Sequence, residues 1–394
     1  MQLLLFVFNK YKYHIYNLKN SEINTVNKSY AFLCLSKKGF GGLELQMANK
    51  TTEWNERGYT AIFVCYKDSP IHAYAVKQNI PCVAIHSGID YLDPISSVQL
   101  AKTFNKFKTS VCIVGISRNL SIAFLARTFS FQTPRIVFFQ QMLSGVPKRD
   151  FFHNFLYSRL HAAILPAEFM KPMLLESTAT IPKTVHIIRY GISTEHYSPA
   201  TTEQKKQAKA MFDVPDETVV YCMPARFDAQ KDQYNCIKAF AMLNKPNAML
   251  LLVGGTDAHS REYYLQCYNE VQQLGISNKV KFVEFCNDFR SILYATDVYI
   301  LNSIIETFSL ALIQAMSCGL TVIGTNSGGT PEAIQHEYNG LLVPPQNPQE
   351  LYNAMELLYS NPILKTRLSK QAHLDANQLY DSNKQFEKFI AACS

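Results

Sequence analysis

Short apolar runs alternate with amphipathic stretches along nearly the whole chain, and the series restarts once near its middle. The first series is AFLCLS (31–36), TAIFVCY (60–66), PCVAIH (81–86), SVCIVGI (110–116), PRIVFF (134–139), HAAILP (161–166) and VHIIRYGI (185–192). The second is TVVYCMPAR (218–226), AMLLLVGG (248–255), KVKFVEF (279–285), DVYILNS (297–303), LTVIGTN (320–326) and GLLVPP (340–345). Continuous apolar runs of this length suit strands covered on both faces. Strands separated by helical stretches imply a parallel sheet with helices on either side. The reading is an α/β fold: two Rossmann-like, doubly wound parallel-sheet domains facing across a cleft. Ligands of such sheets bind outside the carboxyl ends of the strands, so the cleft is the default site.

With 394 residues, two domains are the natural division. The expected boundaries are 29–200 and 201–394, the polar stretch Ser198–Gln204 joining them, with the final helix of a pattern over 348–393 packing back on the first domain. Residues 1–28 read as a tail whose order the sequence leaves open. The apolar start at 1–8 is followed, not preceded, by Lys10, Lys12 and Lys19, which is not the layout of a secretory signal. No apolar run reaches the ~20 residues of a membrane-spanning helix. The net charge of +7 divides unevenly: 22 Lys+Arg against 11 Asp+Glu in 1–200 (+11), and 16 against 20 in 201–394 (−4). Ten cysteines sit singly, without a C-x-x-C pair. Reduced, buried thiols are expected, and no structural zinc site.

The densest segment is NSIIETFSLALIQAMSCGLTVIGTNSGG (302–329). A strand ends at Ser303, Glu306 lies in the turn, and a helix is expected from about Phe308 to Cys318, closed by Gly319. The backbone N–H groups of Thr307, Phe308, Ser309 and Leu310 then lie at a helix start, where unpaired donors and the macrodipole favour an anion. Arg226 and Lys231 follow the first strand of the second half and would share that sheet edge. Two cations beside a helix start make a diphosphate clamp.

The ordered set Gly41-Gly42-Leu43-Glu44, Arg189-Tyr190-Gly191-Ile192, Arg226 with Lys231, Val253-Gly254-Gly255, Glu306 and Gln314–Gly319 followed by Gly-Gly-x-Pro-Glu resembles the retaining two-Rossmann-domain (GT-B) glycosyltransferases, glycosyl transferases group 1 or family 4. The resemblance runs from Tyr30 to the end. It implies transfer of a hexose-type sugar from a nucleotide-diphosphate sugar, held by the second domain, to a glycan or lipid-linked acceptor on the first. Surface polysaccharide or lipopolysaccharide assembly is the implied setting. Arg226, Lys231 and Glu306 take the catalytic positions. Gly41, Gly42, Gly254, the helix start 307–310 and Gln314 take donor-binding positions. No cofactor and no metal are expected, because side-chain cations do the work of a divalent ion.

Two positions depart from the family. Gln314 stands where a glutamate accepts from the ribose hydroxyls; the amide keeps one acceptor oxygen and loses the charge. Gln140 and Gln141 stand in the segment where the family often carries a histidine, and Gln141 is the candidate sugar or acceptor contact. These departures motivate an alternative reading, a nucleotide-sugar-binding protein with reduced or lost transfer. An NAD-dependent oxidoreductase is disfavoured, since Gly39, Gly41 and Gly42 lack the G-x-G-x-x-G spacing. No nucleic-acid motif stands out. Asp257 and His259 fall in a loop that the resemblance puts near the nucleotide. Lys102, Lys106 and Lys108 beside Phe104 and Phe107 suggest attachment to an anionic membrane surface, at the cytoplasmic side of the membrane.

Overall fold

The structure is a computed structural model and describes residues 28–88, 93–143, 145–256, 260–284 and 288–394. All but one residue of the 1–28 tail, and both Asp257 and His259, lie outside the described residues.

The first domain runs β1 (Ser29–Leu33), α1 (Gly42–Glu56), β2 (Thr60–Tyr66), α2 (Pro70–Lys77), β3 (Cys82–Ile85), α3 (Pro94–Phe107), β4 (Thr109–Val114), α4 (Asn119–Phe129), β5 (Arg135–Phe139), α5 (Phe151–Tyr157), β6 (Ala162–Leu165), α6 (Met170–Ser177) and β7 (Val185–Ile187). Its sheet has the order β3-β2-β1-β4-β5-β6-β7, all parallel. The second domain runs α7 (Thr202–Met211), β8 (Val219–Pro224), α8 (Gln233–Leu243), β9 (Ala248–Val253), α9 (Arg261–Gln273), β10 (Val280–Val283), α10 (Phe289–Ala295), β11 (Val298–Leu301), α11 (Leu310–Ser317), β12 (Thr321–Thr325) and β13 (Leu341–Val343). Its sheet order, β10-β9-β8-β11-β12-β13, repeats the first six strands of the other. In each sheet the order reverses beside the first strand, β1 or β8, which opens a crevice at the carboxyl edge. The doubly wound sheet is therefore present twice, as the alternation required, and the pair of domains makes the GT-B architecture.

The central strands are apolar on both faces because helices cover both. Leu250, Leu251 and Leu252 of β9 are each fully buried, and so are Val111 to Val114 of β4 to within a per cent. Trp54 of α1 is completely buried and marks the centre of the first core.

The pattern over 348–393 is three helices, not one: α12 (Pro348–Ser360), α13 (Pro362–Leu379) and α14 (Ser382–Cys393). Pro362 has no N–H to continue α12 and serves as the first residue of α13, while Asn361 caps it by accepting the Leu364 N–H at 2.9 Å. Asp381 caps α14 through the Lys384 N–H. Helix α14 lies on the first domain: Phe386 and Phe389 pack edge-on against Trp54, with centroids 4.5 and 5.3 Å away. The chain thus crosses between domains twice, and Ile192 of the first crossing bridges Asp381 of the second. Among the described residues no helix is long and apolar enough to cross a membrane.

The basic-aromatic surface expected on α3 is corrected by its packing. Phe104 is completely buried and Phe107 is half-buried against the core with the Lys106 ammonium over its ring, so the segment exposes its lysines but no aromatic face.

Candidate active site

The second-domain cluster is assembled by two loops at the carboxyl edge of its sheet. After β8 the chain turns through 225–232. Buried Gln233 holds that turn by donating to the carbonyls of Ala225 (3.3 Å) and Arg226 (2.9 Å). After β11, the Ile304 N–H donates to the Gln230 carbonyl at 2.8 Å, tying the two loops together. Asn302 adds a buried clamp, its amide donating to the Asp232 carbonyl at 2.9 Å. Asp232 itself has φ +61°, a left-handed conformation that aspartate tolerates better than most residues. Burial pushes its carboxyl above the usual range. Asn302, Asp232 and Gln233 carry no sequence signal of their own; only the fold brings them together.

Lys231 emerges from this frame and meets Glu306: Nζ lies 2.5 Å from Oε2, in a pair whose side chains are 30% and 16% exposed. Ser303 Oγ lies 3.4 Å from the same carboxylate oxygen. Arg226 is placed differently. Its side chain is 60% exposed, and its guanidinium is paired with Asp228 at 2.8 Å. The structure therefore joins Lys231 to Glu306 and leaves Arg226 on the same loop, turned toward Asp228.

The glycine turn after β12 shapes the Glu306–Thr307 segment. Gly328 has φ +58°, and a Cβ there would overlap the Glu306 carbonyl oxygen; one at Gly329 would overlap that of Thr307. The Gly329 N–H donates to the Glu306 carbonyl at 2.8 Å. Only residues without a side chain let the two turns come this close.

Helix α11 begins at Leu310, two residues later than expected, because Ser309 is its cap, accepting the Leu312 N–H at 3.2 Å. The first-turn N–H groups of Leu310 and Ala311 have no acceptor within the helix, so the unpaired donors of the helix start lie there. Phe308 is buried, its ring edge-on to Tyr190 and Tyr380. Gln314 is half-buried on the next turn.

The glycine positions separate. A Cβ on Gly254 would overlap the Ala225 carbonyl, so Gly254 is required by packing under the Arg226 loop. On Gly42 a Cβ would meet nothing within 4 Å, and on Gly41 only the Glu44 carboxylate at 3.7 Å. Neither is demanded by the chain's own packing. Gly41 N–H donates to Glu44 Oε2 at 3.1 Å at the start of α1.

The two domains meet over the cluster. Thr307 Oγ1 donates to the Gln141 carbonyl at 3.0 Å, and Tyr190 Oη donates to Gln141 Oε1 at 3.4 Å. Burial, and after it the Glu306 charge, holds the Tyr190 phenol far above its usual range, so it remains a donor. Glu332 makes the strongest crossing. Its carboxylate accepts the N–H groups of Glu168 and Phe169, each at 2.9 Å, and pairs with Arg189 at 3.0 Å. On the first-domain side, a cavity of about 270 Å³ opens beside Gln140 and Gln141.

Residues 204–375, which hold this cluster, match the family described as glycosyl transferases group 1. In Campylobacter jejuni, the N,N'-diacetylbacillosaminyl-diphospho-undecaprenol alpha-1,3-N-acetylgalactosaminyltransferase is 28% identical over 219 residues, 55% of this chain and 54% of that one. A lipopolysaccharide core biosynthesis glycosyltransferase of Rhizobium meliloti is 28% identical over 165 residues, 42% of this chain and 46% of its own. The match spans about half the length of the curated relatives. The crystal structure of Anabaena HepE in complex with UDP shares the fold, with a TM-score of 0.82 at 19% identity, covering 92% of this chain and 98% of that one.

Proposed function

From its glycosyl transferases group 1 domain we propose that this chain is a retaining glycosyltransferase. It moves a hexose-type sugar from a nucleotide-diphosphate sugar to a glycan or lipid-linked acceptor. The observation that carries the reading is the Lys231–Glu306 pair, set at the carboxyl edge of the second sheet and covered from the first domain through the Thr307–Gln141 bond. The bound UDP of the HepE structure and the lipid-linked substrate in the name of the Campylobacter relative support the two substrate classes.

In this reading the diphosphate lies between Arg226, Lys231 and the N–H groups at the start of α11. The bond from the anomeric carbon to the β-phosphate oxygen breaks, and its electron pair leaves with the diphosphate. Lys231, already held in place by Glu306, and Arg226, once it exchanges Asp228 for the diphosphate, stabilise that charge as it develops. The acceptor hydroxyl forms its new bond from the same face and gives its proton to a leaving phosphate oxygen. No protein base and no metal are needed for that step. Glu306 accepts hydroxyl groups of the sugar, Gln314 faces the ribose, and Gly41 and Gly42 leave room for the donor to approach the first domain.

Membrane attachment belongs to the same proposal. With Phe104 inside the core, we assign it to α5, where Phe151 and Phe155 are 90% and 43% exposed beside Arg149 and Arg159. This surface would face the cytoplasmic leaflet. Flotation with anionic vesicles at low salt tests it, and absence of the chain from the floated fraction defeats it. For the reaction, uridine, guanosine and adenosine diphosphate sugars are screened for thermal shift and then for transfer. Product anomers read by NMR should keep the donor's configuration; an inverted anomer, or binding without transfer from any donor, defeats the reading.

A further inference from the structure

A second cavity, of about 290 Å³, lies where the chain makes its two crossings between domains. Ile187 and Arg189 at the end of β7, the last residues of α13 and the first two turns of α14 surround it. None of its lining residues belongs to the Lys231–Glu306 cluster. The joint itself fixes the walls. The Ile192 N–H donates to the Tyr380 carbonyl at 2.8 Å, and the Ser382 N–H donates back to the Ile192 carbonyl at 3.0 Å. A Cβ on Gly191 would come within 2.8 Å of Ser382 Cα, so the two crossings are packed backbone to backbone. Gln385 Nε2 closes the turn by donating to the Leu379 carbonyl at 2.6 Å.

The lining is cationic. It holds Arg189, Lys384 and Lys388 against one carboxylate, Glu387, three charges less one, or +2. Lys384 and Lys388 stand one turn apart on α14, the spacing at which like charges on a helix repel. Lys384 is also in the first turn, where the macrodipole disfavours a cation. Among the described residues neither lysine has an ion pair; Lys384 Nζ donates instead to the carbonyl of Gln378, a residue of the same lining, at 3.3 Å. Arg189 spends one bond on Glu332, at 3.0 Å, and its side chain is 33% exposed, which leaves further donors of its fork for a second anion. Side chains that oppose both their helix and each other are accounted for by an anion that all three share.

We propose that this cavity binds a phosphate monoester, with the Arg189 fork and the ammonium groups of Lys384 and Lys388 on its oxygens. The two charges of a phosphate monoester match the +2 of the lining, whereas a carboxylate leaves one charge unmatched. At about 290 Å³ the space is close to the smaller ligand pockets, which begin near 300 Å³, and admits the phosphate with a small group attached. The occupant also acts on the cleft. Arg189 then lies between two anions, the phosphate and Glu332, and their repulsion offsets part of the attraction that holds Glu332 to the first domain. The site is independent of the reaction that the cleft performs.

Amide-resolved NMR titration of the full, deuterated chain tests it, with inorganic phosphate, glucose 1-phosphate and acetate as probes. The amides of residues 384–388 should shift with both phosphates, and acetate should bind at least ~10-fold more weakly. Lys388 is exposed and has no partner to lose among the described residues, so its variants keep the fold. Lys388→Glu should weaken phosphate at least ~10-fold, and Lys388→Arg should stay within about threefold of the wild type. Flotation with phosphatidic acid vesicles that is lost in Lys388→Glu, without shifts from the soluble phosphates, would assign the same site to a lipid headgroup. Phosphate should also speed hydrogen exchange at the Glu168 and Phe169 amides in the wild type and not in Lys388→Glu. Acetate binding as tight as phosphate, equal phosphate affinity in Lys388→Glu and the wild type, or no binding from either source overturns the proposal. Unchanged exchange at Glu168 and Phe169 with phosphate bound refutes the link to Glu332 and leaves the site standing.

Discussion

Removing Glu332 should open the cleft while leaving both sheets folded. Its carboxylate accepts two first-domain N–H groups at 2.9 Å and Arg189 at 3.0 Å. Hydrogen bonds to a charged partner contribute ~1.5–3 kcal/mol each. These three share one carboxylate, and Arg189, whose side chain is 33% exposed, regains water as the domains part. The contributions therefore do not add in full, and Glu332→Ala should cost the closed arrangement about 2–4 kcal/mol. On an open–closed equilibrium that is a ~30- to ~1,000-fold shift. Glu332→Gln keeps the shape and one acceptor oxygen but not the charge, so it should fall between. Hydrogen exchange reads the effect directly: the amides of Glu168 and Phe169 should exchange faster by the same factor, while amides of β4 and β9 keep their protection. Small-angle scattering should show a larger radius of gyration. Unchanged exchange at Glu168 and Phe169 in both variants, with superimposable scattering curves, would refute the assignment of Glu332 as the tie between domains.

The remaining expectations concern charge, pH and thiols. Lys231→Ala and Arg226→Ala should each lower turnover at least ~100-fold, the scale for losing one preorganised charge donor; near-normal steady-state rates in both would overturn the site. Asp228→Asn releases Arg226 from an exposed pair worth ~0.2–1 kcal/mol, so calorimetry should show UDP binding up to ~5-fold tighter, and weaker binding would contradict the pairing. Burial pushes the Asp93 carboxyl up, but hydrogen bonds from Ser96 and Gly88 outweigh it and hold the group below its usual range. Its stabilisation is therefore present above the ordinary aspartate pKa and lost as pH falls through the lowered folded value. In urea unfolding, the gap between the wild type and Asp93→Asn should narrow below about pH 4, and a gap that widens there would be the wrong sign. Burial pushes the thiols of Cys65, Cys222, Cys267, Cys318 and Cys393 up to about 12, so they stay protonated at pH 8. Mass-spectrometric mapping after N-ethylmaleimide should find them unmodified in the native chain, and fast labelling of any of them would contradict that burial.

What could be read from the sequence divides along the range of the interactions. The thirteen strands of the described residues announced themselves because each falls on a short apolar run, and the central ones are buried on both faces as such runs require. The Lys231–Glu306 pair was foreseeable as a shared sheet edge, since strand order sends both loops to the same side. Glu332 was not: it looks like an ordinary residue after Gly-Gly-Thr-Pro, and its partners are 143 to 164 positions away in another domain. The face of α3 failed for a related reason. Phe104 and Lys102 lie two positions apart, so their side chains point in different directions around the helix, and the ring turned inward where the lysine did not. The break at Pro362 was written in the sequence as Asn-Pro, but the apolar periodicity on either side hides a local stop.

The charges of the cluster cancel before any donor arrives: Arg226 is matched by Asp228 and Lys231 by Glu306. The second domain as a whole is also acidic, at −4, so a diphosphate gains nothing from that domain's long-range field. Binding the proposed donor must therefore be an exchange. Arg226 can leave Asp228 at small cost because the pair is exposed, whereas Lys231 and Glu306 are half-buried and hold their places. The remaining attraction comes from the N–H groups at the start of α11, which act only at contact distance, and from the first domain across the cleft, where residues 28–200 carry 19 Lys+Arg against 10 Asp+Glu, a net +9. That second contribution is screened over roughly 8–10 Å, so it grows only as the domains approach. Closure and donor capture then form one linked equilibrium: whatever holds the cleft shut raises donor affinity, and a bound donor favours the shut state by the same factor. The Glu332 tie belongs to donor binding on this account, although it touches no part of the donor.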